Sequence, residues 1–170
     1  MNLCALKIAE KVRLPVIVAF DGFFTSHQKK KCYVFEDDKT VGDFIGAYDA
    51  EYSVLDLEHP VSIGSYMNEP DTLNNKYQLH LAMEQARRVI PQVLEDYEAL
   101  SGRKYPLAEG YRNEDAEVIL FLLGSSYHTA KTAADRMREE GIRAGVVTLH
   151  ALRPFPAKEL YELCRSAVTV

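Results

Sequence analysis

A short segment near the start of the chain concentrates side chains that could do chemistry. It has the sequence DGFFTSH over residues 21–27 and directly follows the apolar run PVIVAF. A carboxylate (Asp21), two hydroxyls (Thr25 and Ser26) and an imidazole (His27) lie close together, and Gly22 permits a tight turn. Because imidazole titrates near neutral pH, His27 is a candidate donor or proton carrier in a loop that lines or gates a site. The spacing by itself favours a plainer alternative, in which the acid and hydroxyls cap backbone groups.

A second candidate is the GSS turn at residues 124–126, which separates an apolar run from a helical pattern. Backbone amides at a helix N-terminus bind anions, so Ser125 and Ser126 form a candidate anion site. The turn lacks the glycine and lysine pattern of a P-loop and the three glycines of a dinucleotide fingerprint. Ordinary capping of the helix by the side chain of Ser125 or Ser126 is therefore the favoured interpretation.

The remaining polar residues form no recognisable catalytic pattern. Arg153, which precedes Pro154, leaves two alternatives open: it pairs with a carboxylate across an interface, or it is solvated. No Ser-His-Asp, Cys-His or paired-carboxylate arrangement rises above chance, so we assign no catalytic residue and no metal ligand. The cysteines, Cys4, Cys32 and Cys164, are far apart and match no ligand spacing. We expect free thiols, no iron–sulfur cluster held by this chain, and a reducing, cytoplasmic compartment.

The elements that must position these residues begin with a helix and a strand. Residues 1–13 have apolar side chains at mostly helical spacing, and residues 15–20 form a continuous apolar run. A strand without alternation is typical of parallel sheets covered by helices, so 15–20 is predicted to be a buried central strand. The segment 21–27 then lies at the strand's carboxyl end, where open α/β sheets bind ligands. Residues 41–48 predict a short helix.

The longest predicted element spans residues 73–100, where apolar side chains repeat at i, i+3, i+4 and i+7. One face of this helix therefore packs on a large apolar surface. Pro91 leaves a carbonyl one turn earlier without its usual partner, which predicts a kink. Ser101 and Gly102 supply the signal that ends the helix.

The clearest fold pattern lies in the C-terminal third of the chain. An apolar strand at 118–123, a helix ending near Glu140 and a strand at 143–149 form a βαβ unit, which is right-handed in nearly all proteins. A further helix is predicted at 157–165, and residues 167–170 begin another strand. The predicted fold class is α/β, built on parallel-sheet βαβ units.

Composition places the chain among ordinary globular proteins. Hydrophobic residues make up 47% and charged residues 26% of its 170 residues, which excludes a disordered chain. The net charge of −5 argues against a nucleic acid or an anionic membrane as partner, and the one basic run, 29–31, is followed by acidic residues. No apolar stretch approaches the roughly 18 residues that span a bilayer. We therefore expect neither nucleic acid nor membrane as a partner.

Several strings resemble segments of one enzyme family. LPVIV, DGF and TSH, between residues 14 and 27, resemble a segment late in the pyrimidine-binding domain of pyruvate:ferredoxin oxidoreductases. SGRKY at 101–105 resembles the string that follows a long helix in those enzymes. DAEVI, GS, GIRAG and LRPFP, between residues 115 and 156, resemble their second domain, which is similar to the C-terminal domain of transketolase. The resemblance covers nearly the whole chain and is weakest in residues 28–72.

The resemblance implies an enzyme that uses thiamine diphosphate and Mg²⁺ to decarboxylate a 2-oxoacid, with pyruvate as the expected substrate. It implies that electrons pass through [4Fe–4S] clusters to ferredoxin and that the acyl group passes to coenzyme A. In such enzymes the cofactor carries the carbanion chemistry and the protein positions it. The cofactor sites are expected outside this chain, so we expect it to bind none of them alone. The implied partners are other subunits or domains of the complex, and ferredoxin through that complex.

The chain begins inside a helical pattern and stops in a strand, so we expect it to be an excerpt of a larger enzyme. The predicted domains are the tail of the thiamine diphosphate pyrimidine-binding domain (1–63), a connector with the long helix (64–112) and a truncated transketolase C-terminal-like domain (113–170). This piece is expected to scaffold and assemble rather than catalyse. Two alternatives remain: a non-catalytic α/β interaction or regulatory module, and the C-terminal region of another thiamine enzyme such as transketolase or a dehydrogenase E1 β-chain.

Overall fold

The computed structural model describes residues 1–23, 25–48, 55–64, 66–69 and 71–170. It contains a small sheet with helices on both faces and a separate layer of packed helices. The elements among the described residues are α1 (Asn2–Val12), α2 (Asp38–Ile45), α3 (Asp71–Ser101), β1 (Ala108–Tyr111), β2 (Val118–Phe121), α4 (Ser126–Glu139), β3 (Ala144–Leu149) and α5 (Ala157–Cys164). The helices and the βαβ unit predicted from periodicity are therefore present. The predicted fold class, α/β, is confirmed.

The sheet is mixed, with strand order β1-β3-β2. β2 and β3 are parallel, with Leu120 opposite Val146, and they are joined by α4 as predicted. β1 pairs with β3 in the antiparallel sense, with Glu109 opposite Thr148. The predicted strand at 167–170 forms a single parallel bridge, between Thr169 and Val118. β1 lies in the range predicted as connector and long helix, and its short sequence, AEGY, has no strand pattern.

Alternation along β3 gives the sheet two apolar faces. Val146 packs with Tyr127, Ala130 and Ala134 of α4 on one face. Val147 packs with Ile119 of β2, with Ala116 just before it and with half-buried side chains of α5 on the other face. All six residues of β3 are buried, as expected for a central strand covered by helices on both sides.

The second layer is a pair of helices, α1 and α3, with α2 packed at one end. Its apolar core contains Cys4, Ile8, Val12, Phe44, Ala86, Ile90, Val93, Leu94 and Tyr97. The Lys7 ammonium forms an ion pair with Asp96 at 3.0 Å and lies 4.4 Å from the centre of the Phe44 ring. The buried residues of α3 lie in its C-terminal half, between Ala86 and Tyr97, whereas Leu73 near its start is 75% exposed. The kink predicted at Pro91 stays a prediction.

The predicted buried strand at 15–20 is wrong. These residues form no strand, and they pair with no strand among the described residues. Ile17 is 90% exposed and Phe20 is 68% exposed. An apolar run becomes a buried strand only where neighbouring strands satisfy its backbone N–H and C=O groups. The sheet formed by the described residues lies elsewhere in the chain, so this condition is not met.

None of the helices in the described part of the chain has both the length and the apolar character needed to cross a bilayer.

Candidate functional site

The structure brings the two candidate segments together at the N-terminus of α4. Oδ2 of Asp21 accepts a hydrogen bond from the backbone N–H of Ser125 at 2.5 Å, across 104 residues of sequence. Asp21 opens the DGFFTSH segment, and Ser125 is the residue immediately before α4. Neither helical periodicity nor local spacing predicts this contact, because it depends on how the two parts of the chain pack.

Gly124 gives the carboxylate room to approach. Its φ is +67°, a conformation that side-chain-bearing residues rarely adopt. A Cβ at this position would lie 2.5 Å from Oδ1 of Asp21. Glycine is therefore required at position 124 for two reasons: the backbone conformation and the space that Asp21 occupies.

The cap of α4 is a carboxylate rather than a serine hydroxyl. The side chain of Ser125 makes no capping hydrogen bond to the helix, so the favoured interpretation, capping by a serine side chain, is wrong for Ser125. Hydrogen bonds from the Ser125 side chain and from its backbone N–H lower the pKa of Asp21 below its usual value. A negative charge also complements the positive end of the helix dipole. Ser126 is exposed and begins the helix.

The rest of the 21–27 segment is organised by its own contacts. The backbone N–H of His27 donates to the carbonyl of Phe23 at 2.9 Å, and the two rings lie 5.6 Å apart. Oγ of Ser26 is 2.8 Å from Nδ1 of His27. Ser26 and His27 are exposed, Thr25 is half-buried, and Gly22 is exposed with open space around its Cα. Phe24, within the segment, lies outside the described residues.

The carboxylate of Asp21 and the imidazole of His27 therefore make separate contacts. Asp21 is bound to α4, whereas His27 pairs with Ser26. No hydrogen bond joins Asp21 to His27 in the described part of the chain. The plainer alternative, in which Asp21 caps backbone groups, agrees with this geometry, and a chemical role for His27 stays a prediction.

Sequence reasoning missed a polar cluster at the same end of α4. Glu109 of β1 is its centre, and we call Glu109, Tyr127, Lys131 and His150 the Glu109 cluster. Oε1 of Glu109 accepts from the Tyr127 hydroxyl at 3.0 Å and lies 3.3 Å from Nζ of Lys131. Oε2 lies 3.0 Å from Nε2 of His150, the residue that follows β3. The Lys131 ammonium also lies 4.1 Å from the centre of the Tyr127 ring.

The electrostatics of the Glu109 cluster favour an ionised carboxylate. Burial would raise the pKa of Glu109, but hydrogen bonds from His150, Tyr127 and Lys131 outweigh it, so the pKa is lowered. Burial, and then the hydrogen bond to Glu109, raise the pKa of Tyr127, which stays a neutral donor. The carboxylate's bonding capacity is taken up by partners within the chain, so the cluster ties β1, α4 and the end of β3 together. The sequence contained one signal for this cluster: His150 is a polar residue directly after a buried strand.

Arg153 lies in the LRPFP string after β3. Its peptide bond to Pro154 is cis, Pro154 is buried, and Arg153 itself is exposed. Its side chain has no hydrogen bond or ion pair with the described residues. The solvated alternative fits this chain, and pairing across an interface stays a prediction.

A metal ion needs several carboxylate, imidazole or thiolate ligands that converge on one point. The described residues contain no group of three or more His, Cys, Asp or Glu side chains that could hold a metal ion. One cavity, between α3 and the 154–156 segment, has a volume of about 10 Å³, the space of a single water, and another, open to solvent along α3 between Gln78 and Arg88, has about 630 Å³. All three cysteines are free thiols, and burial raises the pKa of Cys4 and Cys164.

The fold and these contacts define an α/β chain in which a loop from one part caps a helix of the other, and two family models match those parts. Residues 1–95 match the model described as "Pyruvate flavodoxin/ferredoxin oxidoreductase, thiamine diP-bdg". Residues 116–170 match "Pyruvate:ferredoxin oxidoreductase core domain II". The chain belongs to the pyruvate flavodoxin/ferredoxin oxidoreductase family, which confirms the family predicted from the strings.

Curated relatives match nearly the whole chain. It is 38% identical over 171 residues to pyruvate synthase subunit PorA of Thermotoga maritima, covering 99% of this chain and 43% of the relative. It is 35% identical over 167 residues to pyruvate synthase subunit PorA of Pyrococcus furiosus, covering 97% and 42%. Ketoisovalerate oxidoreductase subunit VorA of Pyrococcus horikoshii is 31% identical over 166 residues, covering 96% and 42%. The chain thus spans less than half the length of the curated relatives it matches.

Proposed function

We propose that this chain is part of the α-type portion of a thiamine-diphosphate-dependent 2-oxoacid:ferredoxin oxidoreductase that acts on pyruvate. The observation that carries the proposal is the match of two consecutive family models, one to residues 1–95 and one to 116–170. Relatives named as pyruvate synthase subunits, at 38% and 35% identity, support pyruvate as the substrate. The two matches together favour this function over a stand-alone regulatory module or a transketolase.

The proposed reaction converts a 2-oxoacid anion and coenzyme A into acyl-coenzyme A, CO₂, one proton and two electrons. The bond between the carboxylate and the carbonyl carbon breaks, a thioester bond forms, and the carbonyl carbon is oxidised. The two electrons pass singly through [4Fe–4S] clusters to ferredoxin. Thiamine diphosphate, when bound with Mg²⁺, stabilises the carbanion equivalent that decarboxylation produces. No step of the reaction is assigned to the described residues.

The role we propose for the chain itself is scaffolding and assembly. Asp21 and the Glu109 cluster join its elements through hydrogen bonds. Its exposed apolar residues, which include Ile17, Val34 and Phe20, provide a surface suited to other subunits or domains of the complex. Ferredoxin is the proposed partner of the complex as a whole. Free thiols at all three cysteines support a reducing, cytoplasmic setting.

Turnover by the assembled enzyme tests the proposed reaction. The full-length subunit that contains this chain is co-expressed and purified with its partner subunits, and reduction of methyl viologen is followed with pyruvate and coenzyme A. We expect reduction that requires both substrates. Ketol transfer without viologen reduction would contradict the proposal and favour a transketolase.

A branched 2-oxoacid is the second candidate substrate, because the VorA relative named for ketoisovalerate is 31% identical to this chain. The same viologen assay with 3-methyl-2-oxobutanoate in place of pyruvate separates the two candidates. We expect a higher kcat/KM for pyruvate, and the reverse order would reassign the substrate.

A calorimetric titration of the 170-residue chain with thiamine diphosphate and Mg²⁺ should show no stoichiometric, sub-micromolar binding.

A further inference from the structure

The contact between Asp21 and α4 joins the two parts of the chain that match different family models. Asp21 belongs to the part that matches over 1–95, and Ser125 to the part that matches over 116–170. The carboxylate of Asp21 accepts directly from the backbone N–H of Ser125. The contact therefore connects the loop of one part to a helix terminus of the other.

Three features show that the contact is built into the local structure. Gly124 has the φ of +67° and the absent side chain that leave space for the carboxylate. The hydroxyl of Ser125 makes no capping hydrogen bond to the helix, and Asp21 accepts instead from the backbone N–H of Ser125, one of the donors that a helix N-terminus leaves without an intrahelical partner. The carboxylate is an anion at the positive end of a helix dipole, where its charge is favourable.

The loop beyond Asp21 has the internal contacts needed to move with its anchor. The backbone bond from His27 to Phe23 closes a turn, and the two rings are in contact. Ser26 is hydrogen-bonded to the His27 ring. These contacts tie Phe23, Ser26 and His27 to one another, and they begin two residues after Asp21.

We propose that Asp21 is a positioning residue, which holds the 21–27 loop, including His27, in place by capping α4 of the core-domain-II part. The inference rests on the proposed function only where it predicts an effect on turnover; the contact of Asp21 with α4 does not depend on it. In the assembled enzyme, the orientation of the core-domain-II part then sets the geometry of the 21–27 loop, which lies in the part that matches the thiamine diphosphate-binding model.

Hydrogen exchange on the 170-residue chain tests the anchor directly. Four variants break the contact in different ways: D21A removes the acceptor, D21N removes the charge, G124A blocks the approach, and S125P removes the donor N–H. Proline suits the φ of −65° at Ser125, so S125P preserves the start of the helix. The matched control is D37N, because Asp37 caps α2 through the backbone N–H groups of Lys39 and Thr40.

We expect D21A, G124A and S125P each to raise exchange of the His27 amide, which donates to the carbonyl of Phe23, roughly fivefold, the scale of effect that follows loss of a helix cap. D21N should give a smaller increase, since an amide oxygen still accepts. Exchange in the α1–α3 layer should not change, and D37N should affect α2 alone. If the His27 amide exchanges as in the wild type in D21A and G124A, or no faster than in D37N, the proposal is overturned. If D21A does not fold, D21N and S125P provide the same comparison.

The assembled enzyme provides a second measurement. D21N and D21A should lower kcat for pyruvate-dependent viologen reduction more than they raise the KM for pyruvate, and D37N should leave both unchanged. An equal loss in D37N would indicate a stability effect and contradict positioning. If the wild-type enzyme reduces no viologen with any 2-oxoacid, the proposed function fails, and the exchange measurement still decides whether Asp21 anchors the loop.

Discussion

Two apolar segments of this chain, 15–20 and β3, have similar composition and opposite surroundings. Val146 and Val147 of β3 are fully buried, whereas Ile17 is 90% exposed. The difference lies in their neighbours, because β1 and β2 pair with both edges of β3 and helices cover both of its faces. No described strand flanks 15–20. An apolar run thus specifies a preference for burial, and the rest of the chain decides whether that preference is met.

The sheet region therefore buries its central strand within the described chain, while the N-terminal part exposes apolar residues such as Ile17 and Phe20. The sheet region satisfies its polar groups as well, through the Glu109 cluster and through Arg138, which hydrogen-bonds to Asp115 at 2.7 Å and to the carbonyl of Ala144. No buried side-chain polar atom of the described residues lacks a partner. The two regions should therefore respond differently to the same kind of substitution.

The largest expected difference comes from shortening one isoleucine in each region. Ile119→Ala in β2 removes a side chain that is 1% exposed and should lower the free energy of unfolding by about 3 kcal/mol, through lost burial and a cavity. Ile17→Ala removes one that is 90% exposed and should change it by less than about 0.5 kcal/mol. Urea denaturation followed by circular dichroism measures both. Equal losses would show that 15–20 is buried in solution.

The exposed apolar surface of the N-terminal part predicts self-association of the chain on its own. Ile17→Lys combined with Val34→Lys should shift it toward monomer, because the charges oppose apolar contacts between copies. Val168→Lys, at a similarly exposed valine after α5, should leave association unchanged. Sedimentation velocity over a range of concentrations provides the measurement. A wild-type chain that is monomeric throughout would remove the basis of this contrast.

The Glu109 cluster predicts a pH dependence in the sheet region. The pKa of Glu109 is lowered in the folded chain, so its stabilising effect is present above its unfolded pKa and is lost as pH falls through the folded value. Glu109→Gln should cost about 1 kcal/mol near neutral pH through weakened hydrogen bonds to His150 and Lys131. It should also flatten the loss of stability between roughly pH 5 and 3.

Urea midpoints measured across that pH range test this expectation, with Glu114→Gln as the control because Glu114 is an exposed acid in the same region. If the two variants have the same pH profile, Glu109 does not stabilise the fold through its charge.

The smallest effect is expected at Arg153, an exposed residue of the otherwise well-paired sheet region. Arg153→Ala should change the free energy of unfolding of the chain by less than about 0.5 kcal/mol, because no described residue pairs with it. A clear loss of subunit association in the assembled complex would support the interface alternative. Unchanged association, measured by size-exclusion chromatography with light scattering, would support solvation.

Local patterns were sufficient for much of the fold. The spacing of Ile8 and Val12, and of Ile90, Val93 and Tyr97, is determined by the helical period, which any helix with one buried face must follow. The βαβ unit was evident from two apolar runs separated by a helical pattern and a glycine at position 141, whose φ is +87°. The LRPFP, GIRAG and DGF strings were enough to predict the family.

Other features depended on tertiary structure. The short strand β1 has no periodic pattern, so its pairing with β3 was evident only from the tertiary structure. Glu109 was not recognisable as a cluster residue without that strand, and the exposure of 15–20 depended on which strands are available. The contact of Asp21 with α4 depended on the fold most of all, because the carboxylate lies 104 residues away in the sequence; its negative charge is favourable at the helix N-terminus. Sequence alone thus determined the elements and the family, whereas the pairing of distant polar groups was decided by packing, which brings together residues that no local period relates.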